Sequence, residues 1–383
     1  MAEQRNKSNK KFMVLSAIGI IMVVDHHTWT ALNMFGDYIP YNSFFMPMFV
    51  FISGYFNKVD ATTKLGAYAI RKIKTLILPY FVISMLVFGL QWLINWFKLG
   101  EIPTIPSGYL IYILERVVTI GSSISIAEPM WFVISLFTVL FVYAFLKKLL
   151  FRFWNSYVML GIFCCMNVLA VYWAKNMQGI TSSYFLLPLK CMFFLPFIEM
   201  GIIYREYLEK KHEGLPCGGK IAILFVALLV NMIRIMYLPV AYDVAFDSLG
   251  EMNGFTSPFI VTPLISSVVG MAFWVTMVDL LGKAFYDSRF VNYLSCNTFW
   301  IMGLHIAFFN ILNCILMVIN EHIIPLPYFS TESFRESEWY RWELSPNFKL
   351  AYLVIGILGP LSMKWIYDKI CTAIAGKMKR THL

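Results

Sequence analysis

Asp25, His26 and His27 stand at the far end of an apolar run, FMVLSAIGIIMVV, that follows Lys10 and Lys11. A helix rises about 1.5 Å per residue, so His27 lies roughly 24 Å from Lys11. If this run crosses a bilayer, that is membrane depth, where an ionisable side chain is expensive and by default functional. Histidine is the one of these residue types whose ordinary pKa, about 6.5, lets it take up and release a proton near neutrality. His305 repeats the arrangement, sixteen residues beyond Arg289 as His27 is sixteen beyond Lys11. In helices running the same way the two rings reach comparable depth and could meet in one cavity. Neighbours on a helix point about 100° apart, which turns Asp25 nearly opposite His27 and disfavours a dyad between them. Asp25 is then expected to pair with another helix, and either His27 or His26 remains open as the active ring.

The elements that must position these groups follow from composition. Hydrophobic residues make up 59% of the 383 residues and charged residues 14%, against about 25% charged in ordinary soluble chains. The expected fold is an all-α integral membrane protein, a single domain over residues 1–383. Apolar segments lie near 12–31, 42–57, 76–97, 130–146, 156–174, 184–203, 221–239, 258–281, 292–319 and 350–368, which predicts a bundle of about ten transmembrane helices. With both termini cytoplasmic, about 23 of the 31 Lys and Arg residues fall on one side, as the positive-inside rule requires. The net charge of +9 therefore reads as membrane orientation, with no nucleic-acid partner. The seven cysteines have no metal-ligand spacing and read as small buried hydrophobes, so no metal is expected. No small-residue cleavage site follows the first apolar run, and Trp29 stands where one would be needed, so that run is expected to stay as an anchor.

Three longer connections, about 98–129, 240–257 and 320–349, fall on the far side and carry acidic Glu101, Glu115, Glu128, Asp243, Asp247 and Glu251 together with Tyr328, Phe329, Trp339, Tyr340 and Trp342. Connections of this length are usually functional or structured. Glu128 and Glu199 want a cationic partner near the membrane. For Glu199, Arg205 and Lys190 are the nearest cations in sequence. The segment GLPCGGK (214–220) lacks the Ser or Thr that a phosphate loop needs after its lysine, and is set aside.

FFMPMFVFISGYF (44–56), RKIKTLILPYF (71–81), PMWFVISLF (129–137), LPFIEMGIIYR (195–205) and NTFWIMGLH (297–305) follow one another in an order that resembles membrane acyltransferases of the acyltransferase-3 type, which O-acylate bacterial surface sugars. VVDHH (23–27) resembles the family's first-helix segment ending in an essential histidine, which falls on His27, and His305 ends the ninth-helix motif. The resemblance covers nearly the whole chain. It implies a multi-pass protein of the inner membrane that takes an acyl group from cytoplasmic acetyl-CoA or another acyl-CoA. The group goes to a hydroxyl of an extracytoplasmic polysaccharide or glycoside.

The resemblance also implies site roles. His27 is the catalytic base or a covalent nucleophile, with His26, His305 and Asp25 as further catalytic candidates. Arg71 and Lys74 occupy the place of the family's Arg-x-x-Arg, linked to the donor's phosphates, where lysine supplies a point charge in place of a bidentate fork. Ser16 stands where relatives carry an arginine on the donor's route, and Phe45 where they often carry a histidine. Trp131 and Glu128 are candidates for binding the acceptor. Ser53 and Gly54 read as helix-packing residues.

Two other functions remain open. A transporter or exporter of a polar or lipid-linked sugar would use intramembrane His and Glu as proton relays, although no inverted repeat is visible. A catalytically idle scaffold would fit the missing charge at Ser16.

Overall fold

The computed structural model describes residues 2–97, 99, 111, 125–176, 186–237, 259–337, 340–342 and 346–381. Most of the far-side connections 98–129 and 240–257, with their acidic residues, lie outside the described residues, as do Trp339 and the side chain of Glu128.

Among the described residues the secondary structure is helical, with no strand. The elements are α1 (Ala2–His26), α2 (Phe45–Phe56), α3 (Leu65–Trp96), α4 (Trp131–Leu149), α5 (Ser156–Asn176), α6 (Leu186–Glu213), α7 (Cys217–Tyr237), α8 (Thr262–Leu281), short α9 (Arg289–Cys296), α10 (Thr298–His322), short α11 (Thr331–Glu336) and α12 (Pro346–Thr381). Eight of these are long and apolar enough to cross a membrane, and α1 and α2 are not among the eight. In α1 the apolar stretch is bounded closely by Lys11 and Asp25, both buried. The twelve residues of α2 span only about 18 Å, so α2 is a buried half-length helix.

α2 is held by α6, the most enclosed span, with 78% of its apolar window buried. A β-carbon on Gly54 would lie 2.3 Å from the Ile198 carbonyl oxygen, and one on Gly201 would lie 2.2 Å from that of Phe51. Only glycine permits this crossing, the small-residue contact through which membrane helices approach. Arg205 then closes the end of α2, donating through Nη1 to the carbonyl oxygens of Tyr55 and Asn57 at 2.6 Å each. At the other extreme is α7, 11% buried over its window, which is a helix at the lipid boundary.

Two helices depart from the α pattern. In α3 the segment Ile73–Ile77 is a π turn immediately before Pro79. Proline has no N–H and its ring collides with the carbonyl four residues earlier, and the wider π turn relieves both. In α6 the segment Tyr204–Leu208 is also a π turn. Such turns recur at functional sites.

Two sequence-based boundaries are corrected. The first helix, expected to run to residue 31, ends at His26 because Trp29 and Thr30 take left-handed backbone angles, φ 59° and 55°. For a tryptophan and a β-branched threonine this conformation is costly and must be imposed by surrounding contacts. The expected helix 292–319 is broken at Asn297, whose Nδ2 donates to the Tyr293 carbonyl at 2.7 Å, so Arg289 and His305 lie on different helices.

Candidate functional site

Asp25 builds the exit from α1. Its carboxylate accepts from the amides of Leu32 at 2.9 Å and Asn33 at 3.1 Å. Burial and the nearby Asp25 charge push the Tyr41 phenol up, so it stays protonated, and its oxygen accepts from the Met34 amide. Asp25 therefore pairs with the loop that follows it, where the sequence suggested another helix. These bonds turn the chain just past His27, and the segment that follows packs back on the bundle, with the Phe35 ring centroid 5.3 Å from that of Phe273.

The open carbonyls at this helix end attract cations. Arg341 donates through Nη1 to the carbonyl oxygen of His27 and lies over the Trp29 ring, 4.6 Å from its centroid. Lys349 donates to the carbonyl oxygen of Trp29 at 3.2 Å. Arg341 is fixed on both sides: Asn313 Nδ2 donates to the Tyr340 carbonyl at 2.7 Å, and the Trp342 amide donates to the Tyr352 hydroxyl at 3.0 Å. Sequence reasoning noticed the aromatic residues of this stretch and missed the arginine between them. The alternation of Tyr340, Arg341 and Trp342 was the available signal, since anchors on either side point the middle residue the other way.

His27 and His305 meet. His305 Nε2 lies 3.0 Å from His27 Nδ1, with the ring centroids 4.9 Å apart. His305 is fully buried while His27 is partly exposed. The Ile301 carbonyl is 2.9 Å from His305 Nδ1. A carbonyl only accepts, so His305 carries its hydrogen on Nδ1 and a lone pair on Nε2. His27 Nδ1 faces two acceptors, that lone pair and the Val23 carbonyl at 2.9 Å. It must therefore be the protonated nitrogen, which leaves the basic lone pair of His27 on Nε2. The arrangement is a partly accessible imidazole in one tautomer, held by a buried second imidazole that can accept charge from it. His26 lies alongside, its ring centroid 5.6 Å from that of His27 and 5.8 Å from Phe45.

Below the pair, toward Lys11, lies a cavity of about 230 Å³ lined by Ser16 and Ile20 of α1, Ser53 of α2, Leu76 of the π turn, Phe132 of α4 and Thr298 and Met302 of α10, among others. Met302 is one helical turn from His305. Ser16, Ser53 and Thr298 bring three hydroxyls to an otherwise apolar chamber. Thr298 was not anticipated, because it sits at the start of a helix that the sequence pattern begins six residues earlier.

Lys74 lies on the same π turn as Leu76, and both it and Arg71 are exposed. Arg71 rests over the Tyr68 ring at 5.5 Å. Trp131 lies at the start of α4, next to Met130. A β-carbon on Gly303 would come within 2.8 Å of Met130 Sδ, which brings this segment close to His305 on α10. The buried ammonium of Lys190 lies 4.3 Å from the Trp131 centroid, so one face of this indole is already occupied. Glu199, expected to pair with Arg205 or Lys190, instead accepts from the Tyr143 hydroxyl at 2.5 Å. Arg205 is committed to the end of α2. Among the described residues no cluster of His, Cys, Asp or Glu could hold a metal.

The model of the acyltransferase domain family acyltransferase-3 matches residues 12–365. No curated protein and no solved structure matches the chain. The matched region begins in α1, takes in both histidines and Arg341, and ends in α12. The chain belongs to the acyltransferase-3 family and is an integral-membrane acyltransferase.

Proposed function

We propose that the protein is an O-acyltransferase of the bacterial inner membrane. It takes an acyl group, acetyl in the first instance, from acyl-CoA on the Lys11 side and delivers it to a hydroxyl of a cell-surface polysaccharide or glycoside on the far side. The observation that carries this reading is the His27–His305 contact at 3.0 Å directly above the cavity lined by Ser16, Ser53 and Thr298.

His27 Nε2 takes the proton of the acceptor hydroxyl as its oxygen attacks the thioester carbonyl carbon. As positive charge develops on His27, its Nδ1–H remains bonded to the lone pair of His305 and to the Val23 carbonyl. The tetrahedral adduct collapses with cleavage of the carbon–sulfur bond, and the departing thiolate recovers the proton from His27. The same pair also suits a two-step route: His27 Nε2 attacks the thioester carbonyl, and the carbon–sulfur bond breaks with loss of the CoA thiolate. The acceptor hydroxyl then attacks the acyl-imidazolium, releasing His27 and a proton that balances the one the thiolate takes up. In either case the acyl arm lies along the three hydroxyls and Arg71 and Lys74 meet the phosphates of the donor, while Trp131 and Glu128 remain the candidates for binding the acceptor.

The test is transfer from radiolabelled acetyl-CoA in proteoliposomes supplied with surface glycan. Wild-type protein is expected to yield labelled glycan, and His27→Ala protein of native size-exclusion profile is expected to yield none. Equal labelling by both proteins would remove His27 from the mechanism, and solute flux without labelling would replace acyl transfer with transport.

A further inference from the structure

A second and larger cavity, about 460 Å³, lies on the other side of α2 from the histidines. Its apolar walls include Leu160 of α5, Met200 and Ile203 of α6, Ile223 of α7 and Val268 and Met271 of α8. Each of these helices is a candidate membrane span, and α7 is the one least covered by protein. The crevice therefore opens sideways into the bilayer. Its polar groups gather toward the Lys11 end: Tyr204, Lys211, His212 and Thr276. Oily depth with a polar end is the pattern of an amphiphile standing in a membrane leaflet.

The charge at that end has a definite sign. Lys220 is paired with Asp279 at 2.5 Å, Lys11 lies 3.5 Å from Glu213, Arg205 lies 3.0 Å from Glu206, and Glu209 accepts from Tyr55 at 2.8 Å. Lys210 and Lys211 are left over, both exposed and neither within ion-pair distance of a carboxylate among the described residues. We propose that this crevice binds one anionic phospholipid of the adjoining leaflet, with an acyl chain between α6 and α8 and its phosphate at Lys210 and Lys211. Basic residues at a membrane surface favour anionic headgroups in this way.

The site is joined to the catalytic helix by a chain of hydrogen bonds along its wall. Lys11 Nζ donates to the Tyr204 hydroxyl at 3.0 Å, and that hydroxyl meets His212 Nδ1 at 2.9 Å. His212 Nε2 meets Thr276 Oγ1 at 3.1 Å, and Thr276 donates to the Ala272 carbonyl at 2.7 Å. Lys11 begins the apolar stretch of α1 that leads up to His27, so an occupied crevice steadies the helix on which that imidazole stands.

The experiment is thermal unfolding of the full chain in detergent, supplemented with phosphatidylglycerol or with phosphatidylcholine of the same acyl chains. Phosphatidylglycerol is expected to raise the midpoint of the wild type by several degrees more than phosphatidylcholine. The double variant Lys210→Gln/Lys211→Gln is expected to lose that difference. Ala272→Trp, which fills the crevice from an exposed position and leaves both lysines in place, is expected to lose the stabilisation as well. Equal stabilisation of the wild type by the two lipids overturns the proposal, as does a phosphatidylglycerol preference that survives both variants. Stabilisation by palmitoyl-CoA but not by phosphatidylglycerol would assign the crevice to an acyl donor and overturn it too. None of these readouts depends on acyl transfer.

Discussion

Arg341 reaches back across more than three hundred residues to donate to the backbone carbonyl of His27. The last turn of α1 is thus closed by a side chain from the other end of the protein. A charge-assisted bond of this kind contributes about 1.5–3 kcal/mol, and here it holds the residue that carries the proposed base. Arg341→Ala is expected to lower kcat roughly tenfold or more, with a smaller change in the KM for acyl-CoA. Arg341→Lys should recover part of the loss. Unchanged kcat in the alanine variant would show that the helix end needs no outside support.

The two imidazoles should behave as one unit. His27→Ala is expected to reduce turnover by about 10²–10⁴-fold, the usual contribution of a positioned acid–base group. His305→Ala should also be severely impaired, because His27 loses the acceptor that sets its tautomer. The double variant should be no worse than His27→Ala alone, as groups acting together are strongly non-additive. Multiplying losses in single-turnover measurements would mean that the rings act separately.

Filling the lower cavity separates donor entry from chemistry. Ser16→Phe places a ring in a chamber of about 230 Å³ without touching either histidine. A raised KM for acyl-CoA is expected, together with a melting temperature close to that of the wild type. An unaltered KM would place the donor's path elsewhere.

The crossing of α2 and α6 leaves no room for side chains. Gly201→Val sets methyl groups against the Phe51 carbonyl, and overpacking of this sort costs about 1–3 kcal/mol or more. A marked fall in the detergent melting temperature is expected, with loss of inserted protein. A wild-type melting curve would show that α2 can move aside.

Asp25→Asn replaces an acceptor oxygen with a donor nitrogen facing the amides of Leu32 and Asn33. An orphaned buried amide costs about 1–3 kcal/mol. The variant should melt earlier and be cleaved faster in the 27–44 loop under limited proteolysis. Cleavage at the wild-type rate would argue that the left-handed residues alone hold the turn.

The apolar runs and basic clusters made the helical membrane bundle legible, because each span must bury or face lipid with most of its length. The two helix ends that matter most were harder to read. No glycine or proline stands between His26 and Pro40 to mark the exit of α1 except Gly36, and the turn is made by a carboxylate folding forward onto later amides. Asn297 breaks the path to His305 through a local side-chain bond that hydropathy cannot register. The two rings still meet, since depth is set by where each helix packs as well as by where it begins. Arg341 was hard to read because the carbonyl it meets lies more than three hundred residues away, and Thr298 because the break at Asn297 sets the start of its helix.

His27 is the first residue past the last turn of α1, with rigid helix below it and an irregular, side-chain-stapled segment above. On the proposed function, the two reactants therefore meet parts of the protein that can change independently. Substitutions in residues 28–44, or in the strap around Arg341, can reshape what is presented to the far side while the inner half, with its chamber and hydroxyls, keeps its form. A chain divided in this way can exchange one recipient for another without rebuilding the machinery that accepts the activated group.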